Sequence, residues 1–317
     1  MQSRRLAIYA WFVLVFTLLV VLWGAFVRAT GSGAGCGNHW PLCNGAVVPR
    51  APQVETMIEF SHRLSSGLNM LLVLGLVVWG FRLYGRGHPI RRGLLGAGLF
   101  IIMEALIGAG LVLFGLTADN DSRARAISMA LHLVNTFLLM AALAYTAWLA
   151  SGQSAPRFRG QGLAGVGWWV GLAGVVFVGM SGAITALGDT LFPTLSLTQG
   201  IQEELASDAH VLLRLRVWHP FIAVGVGLYV ILLARLLARP RSVEAVGGLS
   251  TIVTALVIVE LVAGAINVAV LAPVWMQLLH LFLACSVWIS LFLLGMAAFA
   301  IPESEDVVAA PAGIPVT

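Results

Sequence analysis

Eight long apolar runs constrain the fold of this chain more than any other feature of its sequence. Each is at least close to the roughly 20 residues that a helix needs to cross the hydrocarbon core of a bilayer. The runs cover residues 6–27, 57–81, 94–116, 126–149, 165–187, 209–236, 248–271 and 274–300. Backbone polar groups in lipid must be paired within the protein, and long apolar segments achieve this as helices. The sequence therefore predicts an all-α, polytopic membrane protein with eight transmembrane helices.

The composition excludes several other classes of protein. Only 10% of the 317 residues are charged and 59% are hydrophobic, whereas roughly 25% charged residues is usual in soluble domains. A chain of this kind has too few polar side chains to cover the surface of a soluble domain. A cytosolic enzyme, a nucleic-acid-binding protein and a disordered protein are therefore all excluded, and we expect no nucleic acid among the partners.

All 18 basic residues are arginine, and their distribution predicts how the chain is oriented. An even number of spans places both termini on one side of the membrane. Eleven arginines lie on that side, namely Arg4, Arg5, Arg82, Arg86, Arg91, Arg92, Arg157, Arg159, Arg235, Arg239 and Arg241. Seven lie on the other side or at helix ends that face it, namely Arg28, Arg50, Arg63, Arg123, Arg125, Arg214 and Arg216. Because cytoplasmic loops are enriched in basic residues, both termini are predicted to be cytoplasmic.

The two halves of the chain carry the same landmarks in the same order. The matched pairs are Gly24 and Gly182, His62 and His219, Glu104 and Glu260, and His132 and His280. Four spans per half make the halves parallel repeats, related by an axis along the membrane normal. We therefore predict two pseudo-symmetric four-helix bundles, formed by residues 1–150 and 151–317. The second should end in a short, acidic, disordered tail that begins at Pro302.

Four histidines lie inside predicted spans, where ionisable side chains are costly and usually functional. They are His62, His132, His219 and His280, one in each even-numbered span and all in the outer half of the membrane. This repeated pattern predicts two bis-histidine haem sites in the bundle cores, one per half. The alternatives are histidines that form interhelical hydrogen bonds and, more weakly, zinc, which would need four ligands within one bundle.

The residue three positions before the first histidine of each pair differs between the halves. Glu59 precedes His62 on the same helix face, whereas Arg216 precedes His219. A carboxylate beside a haem ligand can relay protons or stabilise a cationic intermediate. It can also be an ordinary interfacial residue near a helix N-terminus. We therefore expect the first site to be catalytic and the second to serve electron transfer or structure.

Other ionisable residues lie near these predicted sites. Arg63, Arg214 and Arg216 are candidates to pair with haem propionates, since arginine is a good bidentate donor, or are ordinary interfacial arginines. Glu104 and Glu260 lie in the middle of their spans. We expect them to form structural hydrogen bonds across the bundle, with a proton path as the alternative.

Two cysteines, Cys36 and Cys43, lie seven residues apart in the first outer loop. The outer face of a membrane is oxidising, so a disulfide is expected, either structural or redox-active. A zinc site that also uses His39 is a weaker alternative. Cys285, in the last span, is expected to be a small core residue.

Taken together, these motifs resemble the haem A synthases of aerobic bacteria and mitochondria over nearly the whole chain. The segments that carry the resemblance are Arg28-Ala29-Thr30-Gly31-Ser32-Gly33, Glu59-x-x-His62-Arg63, Thr185-Ala186-Leu187-Gly188-Asp189 and the four histidines. The resemblance implies oxidation of a methyl group of haem O to a formyl group, which gives haem A for terminal oxidases. Pro220 follows His219, where the family often has arginine.

The resemblance also implies roles for single residues. Substrate haem would be bound by His62 and His132 with Glu59 essential beside it, and haem b would be a fixed cofactor at His219 and His280. The Cys36–Cys43 pair would be a redox-sensitive disulfide. The protein would lie in a bacterial cell membrane. Its partners would be haem O synthase and the cytochrome oxidase assembly machinery, and it could form a homo-oligomer.

Two other functions are compatible with parts of the sequence. One is a bis-histidine transmembrane cytochrome that transfers electrons without modifying haem, against which the difference between Glu59 and Arg216 argues. The other is a thiol oxidase or transporter, which would leave the four aligned histidines without a role. The sequence does not identify the electron donor.

Overall fold

A computed structural model describes residues 2–50, 52–239 and 244–300, and the regular structure in these ranges is helical apart from two isolated bridges. The helices are α1 (Gln2–Ala29), α2 (Val54–Leu83), α3 (Ile90–Leu113), α4 (Arg123–Ala150), α5 (Gly162–Leu191), α6 (Leu197–Leu205), α7 (Val211–Ala238), α8 (Glu244–Ala269) and α9 (Val274–Ala298). A single 3₁₀ turn, Ser32–Ala34, follows α1. The predicted all-α class is confirmed. Arg241 and the predicted acidic tail from Pro302 lie outside the described residues.

Eight helices in the described part of the chain are long and apolar enough to cross a membrane, and they confirm the predicted multi-pass protein. They are α1 to α5 and α7 to α9, each containing most of one predicted run. Three predicted ends are too late, and the last of them is residue 300, where the helix stops at Ala298. The helix predicted to end at residue 116 stops at Leu113 because Gly115 adopts a φ of 62°. The helix predicted to end at residue 271 stops at Ala269, since Leu271 has a φ of 61°.

The short helix α6 is a feature that the sequence reasoning missed. It lies in the outer loop between α5 and α7, and the side chain of Ser196 accepts a hydrogen bond from the backbone N–H of Gln199 at its start. A serine followed three residues later by glutamine is a recognised helix-start pattern. The pattern was present in the sequence, but the search for long apolar runs passed over it.

The helices of each half pack mainly against their neighbours in that half. In the first half α1 packs on α2 and α4, and α3 packs between α2 and α4; in the second half α7 packs on α5 and α8, and α9 packs on α8 and α5. One apolar core nevertheless runs through both halves. The division into two bundles at residues 150 and 151 stays a prediction.

The two halves meet mainly where α4 packs on α5 and α9, and aromatic side chains join α4 to α9. The Trp288 indole donates a hydrogen bond to the carbonyl of Phe137 (2.7 Å), and the two rings stack with centroids 4.9 Å apart. Trp168 of α5 lies against α9 and donates to the carbonyl of Leu291. This packing needs glycine at position 295, because a Cβ there would be 2.1 Å from the Trp168 ring. The seam is therefore closely packed across the apolar core.

Candidate functional site

The two histidines predicted to form the second haem site lie next to each other. His219 is on α7 and His280 is on α9, and their ring centroids are 6.3 Å apart with an angle of 79° between the rings. Two imidazoles that bind one metal from opposite sides have centroids about 6 Å apart, because each metal–nitrogen bond is about 2 Å long. The spacing of this pair therefore fits a metal shared between the two rings.

The first pair is also brought together. His62 on α2 and His132 on α4 are both half-buried and lie close enough to interact electrostatically. Within the described ranges, no group of three or more His, Cys, Asp or Glu residues is arranged to hold a metal ion. Two ligands per site are too few for a structural zinc ion but suit an iron whose other ligands come from a porphyrin.

A carboxylate lies behind one histidine of each pair. Glu104 Oε1 is 3.4 Å from His132 Nδ1, and Glu260 Oε1 is 3.1 Å from His280 Nδ1. Both contacts are at ion-pair distance, although neither has the angle of a direct hydrogen bond. A carboxylate at Nδ1 fixes the orientation of an imidazole and leaves Nε2 free to bind a metal. Both mid-span acids therefore lie where they can orient a histidine ligand.

Glu104 is held more firmly than Glu260. On α4, the Thr136 hydroxyl donates to Glu104 Oε1 and the Asn135 amide donates to Glu104 Oε2, each at 2.5 Å. Glu104 thus forms hydrogen bonds between neighbouring helices, as expected. Glu260 Oε2, by contrast, is buried and has no hydrogen-bond partner among the described residues.

Glycines on neighbouring helices make room for three of the four imidazoles. A Cβ at Gly24 would be 2.9 Å from His62 Cε1, and a Cβ at Gly182 would be 3.1 Å from His219 Cε1. On α8, a Cβ at Gly264 would be 3.1 Å from His280 Cε1. A larger residue at any of these positions would displace the imidazole ring, so the glycines limit where the histidine side chains can lie. In the second half, the two glycines and the ring spacing of His219 and His280 together fit a haem iron held between the rings.

The histidines on α2 and α7 differ in what holds their Nδ1 atoms. Ser181 Oγ lies 2.9 Å from His219 Nδ1, whereas His62 Nδ1 is buried and without a hydrogen-bond partner in the part of the chain that is described. Trp23 takes the place of Ser181 in the first half, and its indole donates to Ser61 Oγ (3.0 Å) instead. Sequence reasoning missed this difference, although aligning the two halves at Gly24 and Gly182 would have revealed it.

Glu59 is buried (4% exposed) and connects α2 to the first outer loop. Its Oε2 accepts a hydrogen bond from the backbone N–H of Cys36 (2.8 Å), and its Oε1 accepts from Arg63 Nε (3.0 Å). Arg63 also donates to the carbonyls of His39 and Leu42. The ion pair of Glu59 and Arg63, which the sequence reasoning did not predict, thus anchors the loop directly beside the helix that carries His62.

Cys36 and Cys43 form the predicted disulfide, and both are buried. Because both sulfurs are in this bond, the alternative zinc site with His39 does not form. Cys285 is buried in α9, as expected for a core residue. The disulfide keeps the loop compact at the place where Glu59 and Arg63 form hydrogen bonds with it.

The arginines predicted to pair with propionates contact other groups of the protein. Arg63 pairs with Glu59, and Arg216 pairs with Asp189 Oδ1 (3.0 Å) and Glu204 Oε1 (2.5 Å). Arg214 donates to the carbonyl of Ser207. Where the first half has a buried carboxylate paired with an arginine, the second half has an arginine held between two carboxylates. The propionate role of Arg63, Arg214 and Arg216 stays a prediction.

Arg28, at the outer end of α1, joins the two halves. Its guanidinium donates to the carbonyl of Ala186 (2.6 Å) and to Thr190 Oγ1 (2.7 Å) on α5, and to Gln277 Oε1 (2.9 Å) on α9. The sequence marked Arg28 only as part of a motif and an outer-side arginine. Its partners lie more than 150 residues away in the chain, and nothing in the local sequence identifies them.

Comparison with known proteins assigns the chain to a family. Residues 7–292 match the family COX15-CtaA, described as "Cytochrome oxidase assembly protein". The chain is 54% identical over 294 residues to a "Protoheme IX farnesyltransferase" of Thermus thermophilus, a match that covers 93% of this chain and 48% of that protein.

Other relatives are named "Heme A synthase". The chain is 41% identical over 114 residues to one of Alkalihalophilus pseudofirmus, covering 36% of this chain and 38% of the relative. It is 34% identical over 158 residues to one of Exiguobacterium sibiricum, covering 50% of each. The chain thus spans about half, or less, of the length of these curated relatives. Because the family match extends over most of its length, the chain belongs to the cytochrome oxidase assembly protein family, COX15-CtaA.

Proposed function

We propose that this protein is a membrane haem A synthase, an oxidoreductase that converts a methyl group of haem O to a formyl group. The observation that carries the proposal is the repeated histidine pair, of which only the first has a buried carboxylate, Glu59, three residues from a histidine. The relatives named "Heme A synthase" support it. The conversion of a methyl to a formyl group is a four-electron oxidation. Two successive hydroxylations, each passing two electrons from the methyl carbon to an oxidant supplied from outside the chain, give a geminal diol that loses water.

The two histidine pairs have different roles in this proposal. His62 and His132 hold the substrate haem, and His219 and His280 hold a resident haem b. A bound haem b supplies one-electron redox chemistry, while the chain supplies ligands, orientation and an apolar environment. Glu104 and Glu260 keep the rings of His132 and His280 turned so that Nε2 faces the haem.

Glu59 contributes negative charge beside the first pair. Its hydrogen bonds with Arg63 and with the Cys36 N–H keep the carboxylate fixed at one place near His62. A fixed charge stabilises positive charge that develops on a reacting carbon, because no reorganisation is needed during the reaction. These interactions fix the carboxylate beside His62, where it can relay a proton or stabilise a cationic intermediate.

An electron-transfer cytochrome without haem-modifying chemistry is the second candidate. One observation favours it: both oxygens of Glu59 already bind the protein, as expected of a residue that only anchors the disulfide loop. The two candidates differ in whether the haem composition of the cell changes, and that difference is measurable.

The proposed setting is the cytoplasmic membrane of a bacterium, with both termini in the cytoplasm. The disulfide supports an oxidising, outer location for the loop that contains it. Haem O synthase and the cytochrome oxidase assembly machinery are the proposed partners, alongside bilayer lipid, and a homo-oligomer is compatible with the fold. The Thermus relative supports a link to haem O supply, since a protein named for farnesyl transfer contains a segment like this one.

The decisive experiment is to extract haems from cells with and without this protein and to separate haem O from haem A chromatographically. We expect haem A only where the protein is present, with a matching decrease in haem O. Unchanged haem O together with a bis-histidine haem spectrum in the purified protein would favour the electron-transfer cytochrome instead.

A further inference from the structure

A groove of about 280 Å³ opens toward the lipid between α3 and α4 of the first half. Its walls include Ile107 and Gly110 of α3, Phe114 just after the end of α3, and Ser128 and Leu131 of α4. Phe114 and Leu131 are exposed side chains of the membrane-facing surface. The groove is therefore an apolar slot whose size and lining suit a hydrocarbon chain.

The groove starts beside the first histidine pair. Leu131 directly precedes His132, and Ile107 lies one helical turn beyond Glu104, whose carboxylate contacts His132. From Ile107 to Phe114 the slot runs along about 10 Å of α3, at 1.5 Å per residue. The groove therefore lies within about one helical turn of His132 on α4 and of Glu104 on α3.

The same place is filled in the second half. Counting from Glu260 and His280, Ile266 stands where the first half has Gly110, and Met276 stands where it has Ser128. Met276 is only 3% exposed and packs with Ala263, the counterpart of Ile107, and with Leu283. The second half is therefore an internal control, because the gap is open in the first half and Met276 occupies the corresponding place in the second.

Gly110 keeps the gap open without being needed for backbone packing. A Cβ at this position would meet only the Phe114 ring, at an ordinary contact distance of 3.8 Å. Glycine weakens the interior of a helix, so its presence here is explained by the space it leaves in the groove rather than by a close approach of another helix.

We propose that this groove binds the isoprenoid tail of the substrate haem, and that the filled second half takes a haem without such a tail. The inference rests on the proposed function. Lipid tails are as apolar as the groove, so burial from water contributes little to tail binding in the membrane. The groove acts by shape, because it lets a tail-bearing haem reach His62 and His132 without displacing side chains.

The test exchanges the groove residues for those of the second half, in full-length protein in lipid nanodiscs. The double variant Gly110→Ile with Ser128→Met is titrated with haem O and, separately, with protohaem IX, which has no tail. We expect haem O affinity at the first site to fall about tenfold or more, the discrimination that a few side-chain carbons give in an apolar pocket. Protohaem affinity should stay about the same, because protohaem has no tail to meet the added side chains.

Two further variants make the result specific. Gly110→Ala adds one methyl group at a tolerated distance and should give a smaller loss in the same direction, which covers failure of the double variant to fold. Met57→Trp fills a different lipid-facing groove, about 360 Å³ between α1 and α2, and should leave the ratio of the two affinities unchanged.

The outcomes distinguish tail binding in the groove from the production of haem A. The inference would be overturned if the double variant lost affinity for both haems equally, or if Met57→Trp changed the ratio of the two affinities. Equal affinity of the wild type for both haems would also overturn it, and would indicate that membrane lipid fills the groove. Haem A production by the wild type is measured independently. Its absence would overturn the proposed function even where the affinity ratio shows a tail site.

Discussion

The two halves of this protein share one framework but differ around their histidines. In each half, a glycine lies against an imidazole ring, and a carboxylate lies behind the histidine of the fourth span. In the second half, Ser181 holds His219 and Met276 fills the lipid-facing gap. In the first half, His62 Nδ1 has no such partner in the described chain, and the gap is open.

The difference indicates how one framework can serve two purposes. A ligand held by a hydrogen bond at Nδ1 is better oriented and more basic, which suits a haem that stays bound. A less constrained ligand beside an open groove suits a haem that must enter and leave. In the proposed function, the contrast between a resident and an exchanging haem would therefore lie in side chains around the ligands rather than in the ligands themselves.

The strongest test of this contrast compares Glu59→Gln with Arg216→Gln. Glutamine keeps hydrogen-bonding atoms but removes the charge, so we expect haem A production to fall about 100-fold, as for other lost electrostatic contacts in active sites. The low-spin haem spectrum should persist. Arg216→Gln is the matched control and should retain most of the activity. Equal losses of haem A production in the two variants would show that the two halves do not have these different roles.

A second comparison concerns the carboxylates behind His132 and His280. Glu260→Gln should weaken haem retention in the second half by roughly 10- to 100-fold, the usual effect of removing such a partner. Glu104→Gln should spare that haem and affect only the first site. Haem content per protein, measured after size-exclusion chromatography, checks both. Retention of the full haem b complement in Glu260→Gln would contradict an orienting role for this acid.

Ser181→Ala should have a smaller effect on the same haem. Loss of the hydroxyl near His219 Nδ1 is expected to weaken haem binding by about tenfold at most, the lower end for such partners. The midpoint potential of the haem in the second half should shift as well, because the basicity of its ligand changes. A purely structural serine would leave the potential unchanged.

The smallest effect is expected from the disulfide. Replacing Cys36 and Cys43 together by serine removes roughly 2–3 kcal/mol of stability for a short loop. The contacts of Glu59 and Arg63 with the loop should remain, so haem binding should persist with a lower melting temperature. Loss of all haem would instead mean that the loop shapes the first site directly.

Most of the fold could be predicted because a membrane span has a simple physical signature. Eight apolar runs of sufficient length gave eight helices, and the repeat picked out the four histidines. Helix ends such as Leu113 and the short helix α6 depended on turn conformations and capping, which the search for apolar runs did not consider.

The contacts of the candidate site could be predicted only in part. Spacing placed Glu59 on the helix face of His62, but it could not reveal that Cys36 and Arg63 occupy both carboxylate oxygens. Such partners come from a loop whose path is set by a disulfide and by packing, not by periodicity. The exchange of Trp23 for Ser181 was present in the repeat, but its effect on Nδ1 required the three-dimensional arrangement.

Arg28 has a consequence for electron movement. Its guanidinium holds α1, α5 and α9 together at the outer end, so sliding one half past the other would require breaking three hydrogen bonds of one cation. In the proposed function, these bonds would hold the two histidine pairs at one separation whichever haem the first pair binds. Electron tunnelling between two centres is highly sensitive to their separation, so this arginine would keep the electron-transfer distance constant while substrate and product exchange.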